Sequence, residues 1–379
     1  MKLELIATAT FGLEAVVKRE LEDLGFKILK SEDAKITFMG DERAIARSNL
    51  WLRCADRVQL KMGEFDAFEF EELFQQTKAL PWEEWIPLDG KFVVSGTSVK
   101  SKLYSVPACQ SIVKKAIVEK LKETYGVENF AETGAEYPVK VTILKDKATL
   151  TIDTTGAGLH KRGYRVKDVK APIKETLAAA LVKLSFWREG RLLVDPCCGS
   201  GTIPIEAALI GKNIASGLSR KFISEGWENI SDKIWKEERK AAFEAINDDA
   251  DIRILAFDID KNAIAAAKEN AEEAGVDDCI SFDVMDIHKL NIEEERCVIL
   301  ANPPYGERIG EEEEIKKIYK SLKRLAESNP TLSFFVITAD KNFEAATFGK
   351  PADRRRKLYN GRIETCYYQF HGQKVNPEK

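Results

Sequence analysis

Hydrophobic and polar positions divide the chain into two patterns. Over residues 1–60 short apolar runs alternate with helically spaced stretches. Residues 3–9, 35–39 and 58–63 read as strands, 13–24 and 42–54 as helices, with Gly25 closing the first helix. Residues 68–155 repeat the theme. A helix over 69–77 and a strand over 92–98 precede a long basic helix over 107–125. Strands over 139–144 and 147–153 then pair around Lys145-Asp146. Gly156-Ala157-Gly158 breaks the pattern, and the polar, basic stretch 159–170 reads as a linker. Beyond it, strands over 191–194, 253–257, 280–283, 298–301 and 332–338 alternate with helices over 173–184, 202–209, 262–274 and 315–327. That alternation predicts right-handed βαβ units and a parallel sheet. Asn360-Gly361, between apolar-patterned stretches at 356–359 and 363–370, is a hairpin signal, so the sheet should finish with an antiparallel strand.

Composition adds a class. The 379 residues are 44% hydrophobic and 32% charged, which excludes a disordered or collagen-like chain. No apolar run reaches the roughly 18 residues of a membrane span. The first residues lack the apolar core of a secretory signal, so a cytoplasmic protein is expected. Seven cysteines without a C-x-x-C pair read as reduced thiols, and three scattered histidines give no expected metal site. The net charge of −4 hides an uneven distribution. Residues 1–90 hold 12 Lys/Arg and 18 Asp/Glu, 91–170 hold 15 and 8, and 171–379 hold 31 and 36. A basic middle between acidic flanks is a field that can hold a polyanion.

The most informative stretch is the strand and turn Leu192-Leu193-Val194-Asp195-Pro196-Cys197-Cys198-Gly199-Ser200-Gly201-Thr202. Glycines let a backbone turn sharply and approach a ligand, and in a doubly wound sheet such turns lie at the ligand-binding edge. A phosphate loop would need lysine before the Ser/Thr, and Gly201-Thr202 has none. A dinucleotide fingerprint would need glycine or alanine where Pro204 stands. An acid directly before the turn repels pyrophosphate and attracts a cation, and S-adenosylmethionine offers an ammonium and a sulfonium. Asp258, ending the next strand, can then accept from both ribose hydroxyls. Asp286 can accept from the adenine amine, with Asp283 as its rival.

After the strand over 298–301 comes Asn302-Pro303-Pro304-Tyr305. Two prolines stiffen the loop and remove two donors, leaving the Asn302 side-chain oxygen and the Pro303 carbonyl as a pair of acceptors. Such a pair fits an –NH2 group, and Tyr305 offers a face on which a base can stack. Holding both amine hydrogens aims the nitrogen lone pair at an incoming methyl carbon and stabilises the charge that develops. No strong general base is needed.

These residues resemble the class I methyltransferases of exocyclic amines. Gly306-Glu307-Arg308-Ile309-Gly310, Leu159-His160-Lys161-Arg162-Gly163-Tyr164-Arg165 and Ala171-Pro172-Ile173-Lys174-Glu175 narrow the resemblance to the THUMP-domain RNA guanine-N2 methyltransferases, in the unfused form of the guanine-N2 half of the bacterial 23S rRNA enzyme. The resemblance spans essentially the whole chain. It implies a ferredoxin-like domain over 1–60, a THUMP domain over 61–158, a linker over 159–172 and a Rossmann-like, seven-stranded methyltransferase domain over 173–379. It implies that Asp195, Cys197, Gly199 and Gly201 line the methionine end of S-adenosylmethionine, that Asp258 takes the ribose and Asp286 the adenine side. Asn302, Pro303 and Tyr305 would hold the guanine. Lacking the second methyltransferase half of the fused enzymes, the chain should make one modification.

RNA phosphates are expected on Lys100, Lys102, Lys114, Lys115, Lys161, Arg162 and Arg165. A second basic run, Arg354-Arg355-Arg356-Lys357, is a candidate flank of the active site. The target base must leave its stack to reach Tyr305. Trp227 and Trp235, in a polar insertion over 213–251, are expected to pack rather than to touch cofactor, and Glu311–Glu314 to be the solvated first turn of a helix. The expected function is guanine-N2 methylation of large-subunit rRNA. The alternatives are a tRNA guanine-N2 enzyme, a DNA adenine-N6 enzyme and a non-catalytic RNA-binding or ribosome-assembly factor. No membrane or protein partner is indicated.

Overall fold

The computed structural model describes residues 2–166, 172–305 and 311–374. They form two compact units, one of Met1–Ala9, Val17–Leu159 and Lys221–Ala241, the other of Thr10–Val16, His160–Arg220 and Ala242–Lys379.

The first half of the chain contributes β1 (Leu3–Ala9), α1 (Glu14–Asp23), β2 (Lys27–Glu32), β3 (Lys35–Gly40), α2 (Glu42–Trp51), β4 (Ala55–Asp66), α3 (Phe70–Lys78), β5 (Val94–Val99), α4 (Val106–Tyr125), β6 (Val139–Leu144) and β7 (Lys147–Asp153). The seven strands form one sheet in the order β2-β3-β1-β4-β7-β6-β5. The 12-residue β4 joins its two parts, pairing with β1 through Leu60 and Leu5 and with β7 through Gln59 and Asp153. A boundary at residue 60 therefore falls inside a strand, and the two expected modules share a sheet. The pattern did not reveal β2, an edge strand with no buried residue, where the apolar alternation that marks a half-buried strand is not required.

Residues 221–241 of the polar insertion fold with this unit. Trp227 is fully buried, stacks on Tyr137 at 4.9 Å and donates its indole N–H to the Glu136 carbonyl at 3.0 Å. Trp235 stacks on Phe222 at 5.5 Å. Both tryptophans are packing residues, as expected.

The second half contributes α5 (Glu175–Leu184), β8 (Leu193–Asp195), α6 (Thr202–Gly211), α7 (Asp232–Glu244), β9 (Ile254–Asp258), α8 (Lys261–Glu273), β10 (Ile280–Val284), β11 (Val298–Ala301), α9 (Glu311–Ser328), β12 (Ser333–Thr338), α10 (Phe343–Phe348), β13 (Arg354–Asn360) and β14 (Ile363–Phe370). The sheet order is β10-β9-β8-β11-β12-β14-β13. Strands β8 to β12 pair in parallel, and β14 runs antiparallel to both β12 and β13. Every residue of β12 is buried, as a central strand covered on both faces requires. Val194, Ile299, Leu322, Leu325, Phe334, Val336 and Phe343 share one core cluster.

Two local expectations change. The register pairs Asn360 with Ile363, so the hairpin turns on Gly361 and Arg362 rather than on Asn360 and Gly361. Glycine at the first central position, here with φ +63°, matches the twist of the strands. The expected linker is also corrected. From His160 to Val166 the chain packs into the second unit, because Glu206, fully buried on α6, takes Arg162 and Tyr164 as partners.

Candidate active site

The strand order reverses between β8 and β11: β9 and β10 extend one way, β12 and β14 the other. Neighbouring crossovers part at such a switch point and leave a crevice at the carboxyl edge. Asp195 ends β8, and Asn302 follows the last residue of β11. The two motifs singled out in the sequence thus stand at the ends of adjacent strands.

The glycine turn is held by its own acids. Asp195 Oδ1 accepts from the Cys197 backbone N–H at 3.0 Å, and Asp258 Oδ2 from that of Gly199 at 2.9 Å. The Cys198 N–H donates to the Phe257 carbonyl at 2.9 Å, tying the turn to β9. Gly199 and Gly201 have φ of +54° and +80°. At Gly201 a Cβ would stand 3.0 Å from that of Ala267 and 3.2 Å from the Phe282 ring, so both conformation and space favour glycine.

Asp195 is 1% exposed, and its Oδ2 has no hydrogen-bond partner among the described residues. Burial pushes its carboxyl up to about 8, and nearby Asp258 adds to the shift. A buried acceptor without a donor is costly unless a ligand supplies one. Burial also raises the Cys197 thiol, and Asp195, Asp258 and Asp286 raise it further. Those three carboxylates converge on the turn. Asp283 is exposed on β10 and is not among the acids acting on Cys197. Asp286 accepts from the His288 N–H at 2.9 Å through one oxygen.

Two neighbours escaped the sequence reading. Ile259 is 69% exposed just after Asp258, and Val284 is 55% exposed at the end of β10. Apolar side chains left in water beside a ribose-type acceptor suit a flat heterocycle. The residues present therefore fit S-adenosylmethionine: an unpartnered carboxylate for its ammonium, an acid for its ribose and apolar surface for its adenine.

On the other side of the switch point, the Tyr305 hydroxyl donates to Asn302 Oδ1 at 2.7 Å and accepts from Asn360 Nδ2 at 3.3 Å. Pro303 is buried. Burial pushes the Tyr305 phenol up to about 12, so it stays neutral. Asn360 carried no functional signal in the sequence, where it read as a turn residue. Gly306-Glu307-Arg308-Ile309-Gly310 and Ala171 lie outside the described residues.

The expected RNA-contacting residues separate by environment. Lys100, Lys102, Lys114 and Lys115 are exposed on the first unit. The ammonium of Lys102 lies 5.0 Å from the Phe68 ring, and Tyr104, which sequence reasoning passed over, is 83% exposed nearby in the chain. Lys161 is exposed on the second unit. Arg162 and Arg165 are corrections. Arg162 is buried against Glu206, with Nε 3.2 Å from Oε1. Arg165 pairs with Glu175 at 3.0 Å and donates to the Thr202 hydroxyl at 3.0 Å. A buried cation needs a fixed counter-charge, and both guanidinium groups have theirs inside the fold. They support the first turn of α6. Asn270 adds a second prop, donating to the Ser200 carbonyl and accepting from the Val166 N–H, at 3.1 and 3.0 Å.

Comparison with known proteins gives this geometry a family. Residues 162–369 match the RMKL-like methyltransferase domain, 4–59 the RlmL ferredoxin-like domain and 67–153 the THUMP domain. The chain is 52% identical over its whole length to the Putative RNA methyltransferase YpsC of Bacillus subtilis, covering 98% of that protein. It is 34% identical over 97% of its length to the Ribosomal RNA large subunit methyltransferase K/L of Syntrophotalea carbinolica, and spans 53% of that longer protein. Among solved structures, a Listeria monocytogenes protein described as a predicted N6-adenine-specific DNA methylase is 50% identical with a TM-score of 0.94, covering 98% of this chain and 97% of its own. SMU.472, a putative methyltransferase complexed with SAH, is 42% identical with a TM-score of 0.93, covering 99% of both chains. The chain belongs to the RMKL-like methyltransferase family.

Proposed function

We propose that the chain methylates the exocyclic N2 amine of a guanosine in RNA, with large-subunit rRNA as the substrate class. The observation that carries the reading is the placement of Asn302 and Pro303 across the sheet's switch point from the Asp195 turn. The THUMP domain, the exposed lysines of the first unit and the descriptions of the Bacillus and Syntrophotalea relatives favour RNA.

When bound, S-adenosylmethionine supplies an electrophilic methyl group on sulfur. The protein's task is placement. An aromatic amine is a poor nucleophile because its lone pair is delocalised. The Asn302 oxygen and the Pro303 carbonyl accept its two hydrogens, favour a pyramidal nitrogen and stabilise the positive charge that grows there. The Tyr305 ring offers a stacking face. The nitrogen forms its bond to the methyl carbon as the carbon–sulfur bond breaks, and the methylated amine releases its surplus proton to water. A neutral Tyr305 takes no proton. Its hydroxyl occupies one lone pair of Asn302 and is displaced or shared when the base arrives.

Asn302→Ala is expected to keep cofactor binding in calorimetry and to lose turnover by about a hundredfold or more. Near-normal single-turnover rates would remove the acceptor role. Nucleoside mass spectrometry of rRNA, tRNA and DNA from a deletion strain reads base, atom and nucleic-acid class together. Loss of N2-methylguanosine from the large-subunit rRNA is the expected result. Loss from tRNA gives the second RNA class, and loss of N6-methyladenine from DNA, the activity in the description of the Listeria relative, defeats the proposal.

A further inference from the structure

Phe11 leaves a large apolar ring 47% exposed. It lies in the 10–16 segment that packs with the second unit. Its ring meets that of Tyr359, on β13, edge-on at 6.2 Å. The segment is pinned to the same strand. The Arg356 guanidinium donates to the Gly12 carbonyl at 2.8 Å, and Gly12, with φ +90°, sits where a Cβ would come within 2.6 Å of the Lys357 carbonyl oxygen. Phe11 is therefore held out by a fixed turn.

The residue after Tyr359 is Asn360, which donates to the Tyr305 hydroxyl. Phe11 meets Tyr359 on one face of β13, while Asn360, whose side chain leaves from the other face, reaches Tyr305, so the exposed ring stands one strand residue away from the loop that takes the target amine. Cations border it. Arg355 is balanced by Glu344 at 3.1 Å and Lys357 by Glu364 at 2.6 Å. Arg354 and Arg362 have no ion pair among the described residues, so the strand and its turn keep a surplus of positive charge.

We propose that Phe11, Tyr359 and Arg362 form the surface that holds single-stranded RNA beside the target nucleotide. A base next to the target stacks on Phe11, and an adjoining phosphate meets Arg362. The chemistry fits because extracting one base from a stack leaves its neighbours without a stacking partner, and an exposed ring supplies one. The inference rests on the RNA reading above and adds where the strand runs.

The test uses the full chain and an RNA fragment that the wild type methylates. Phe11→Ala and Phe11→Leu are each expected to raise KM for RNA about tenfold, while Phe11→Trp stays near wild type. The cofactor Kd should not move in any of them. Arg362→Ala should weaken RNA binding and flatten the slope of log Kd against log salt by about 0.7, the share of one phosphate no longer neutralised. A Phe11→Leu enzyme equal to wild type, or an unchanged salt slope, overturns the surface while leaving the RNA reading intact. Effects seen only on assembled ribosomal particles and not on naked RNA point to a protein partner and also overturn it. A wild type that methylates no RNA defeats the reading of function, and the surface falls with it.

Discussion

A single carboxyl group carries the clearest pH signature. The Asp195 carboxyl, pushed up to about 8, is protonated at neutral pH, whereas an ammonium needs the carboxylate. Cofactor binding must then release a proton. Affinity is expected to climb between about pH 6 and pH 7.5, by as much as about tenfold per unit, as the cost of that release falls. Calorimetry in buffers of different ionisation enthalpy reads the released proton directly. The same group shapes stability without ligand. A carboxyl whose folded pKa lies above its unfolded value stabilises the fold fully at low pH, and that contribution is lost as pH rises toward about 8. The fall in Tm of the ligand-free protein from pH 5 to pH 8 should therefore be shallower in Asp195→Asn. Equal slopes would show that Asp195 titrates normally. The sequence marked Asp195 by its place before a glycine turn. Its unpartnered oxygen depends on the strands that enclose it.

Among the elements, α6 shows how a short helix is made to hold a turn. Its residues from Thr202 to Leu209 are all buried, including Glu206. Arg162 neutralises that charge and Tyr164 donates a hydrogen bond to it, while Arg165 holds the Thr202 hydroxyl and Asn270 the Ser200 carbonyl. Arg162→Met leaves Glu206 buried without its cation and should cost about 3–5 kcal/mol, read as a fall in Tm of roughly 10 °C. Arg162→Met/Glu206→Met should recover most of the loss, because a matched apolar pair needs no desolvation of charge. A single variant as stable as wild type would place Arg162 back among the RNA contacts first expected of it. At the hairpin, moving the turn by one residue makes Asn360 a strand residue, and in that register its amide reaches Tyr305.

At the scale of the molecule, the basic residues over 91–170 are split between the units: Lys100, Lys102, Lys114 and Lys115 belong to the first, while Lys161, Arg162 and Arg165 belong to the second, together with the candidate catalytic loops. Reversing Lys114 and Lys115 to Glu should weaken RNA binding and reduce its salt dependence, without changing the cofactor Kd. Unchanged RNA affinity in filter binding would move the anchoring surface off α4. The chain spans about half the length of the K/L relative, so the comparison bears on one part of that protein. No helix among the described residues is long and apolar enough to cross a membrane.

The sequence by itself determined what is local. Period-two and period-3.6 patterns marked most of the elements, including β6, β7, β11 and the antiparallel close of the second sheet. Glycines and prolines at fixed offsets marked the two candidate loops of the site, because backbone conformation is set by the residues that adopt it. Tertiary structure alone decided what depends on partners distant in the chain. The basic stretch after residue 159 looked like a solvated linker until Glu206, more than forty positions away, was found buried against it. Phe11 gained its place only when β13 arrived from the other end of the sequence. Charge and exposure are properties of the enclosure around a residue, and that enclosure is assembled from segments whose proximity no local pattern encodes.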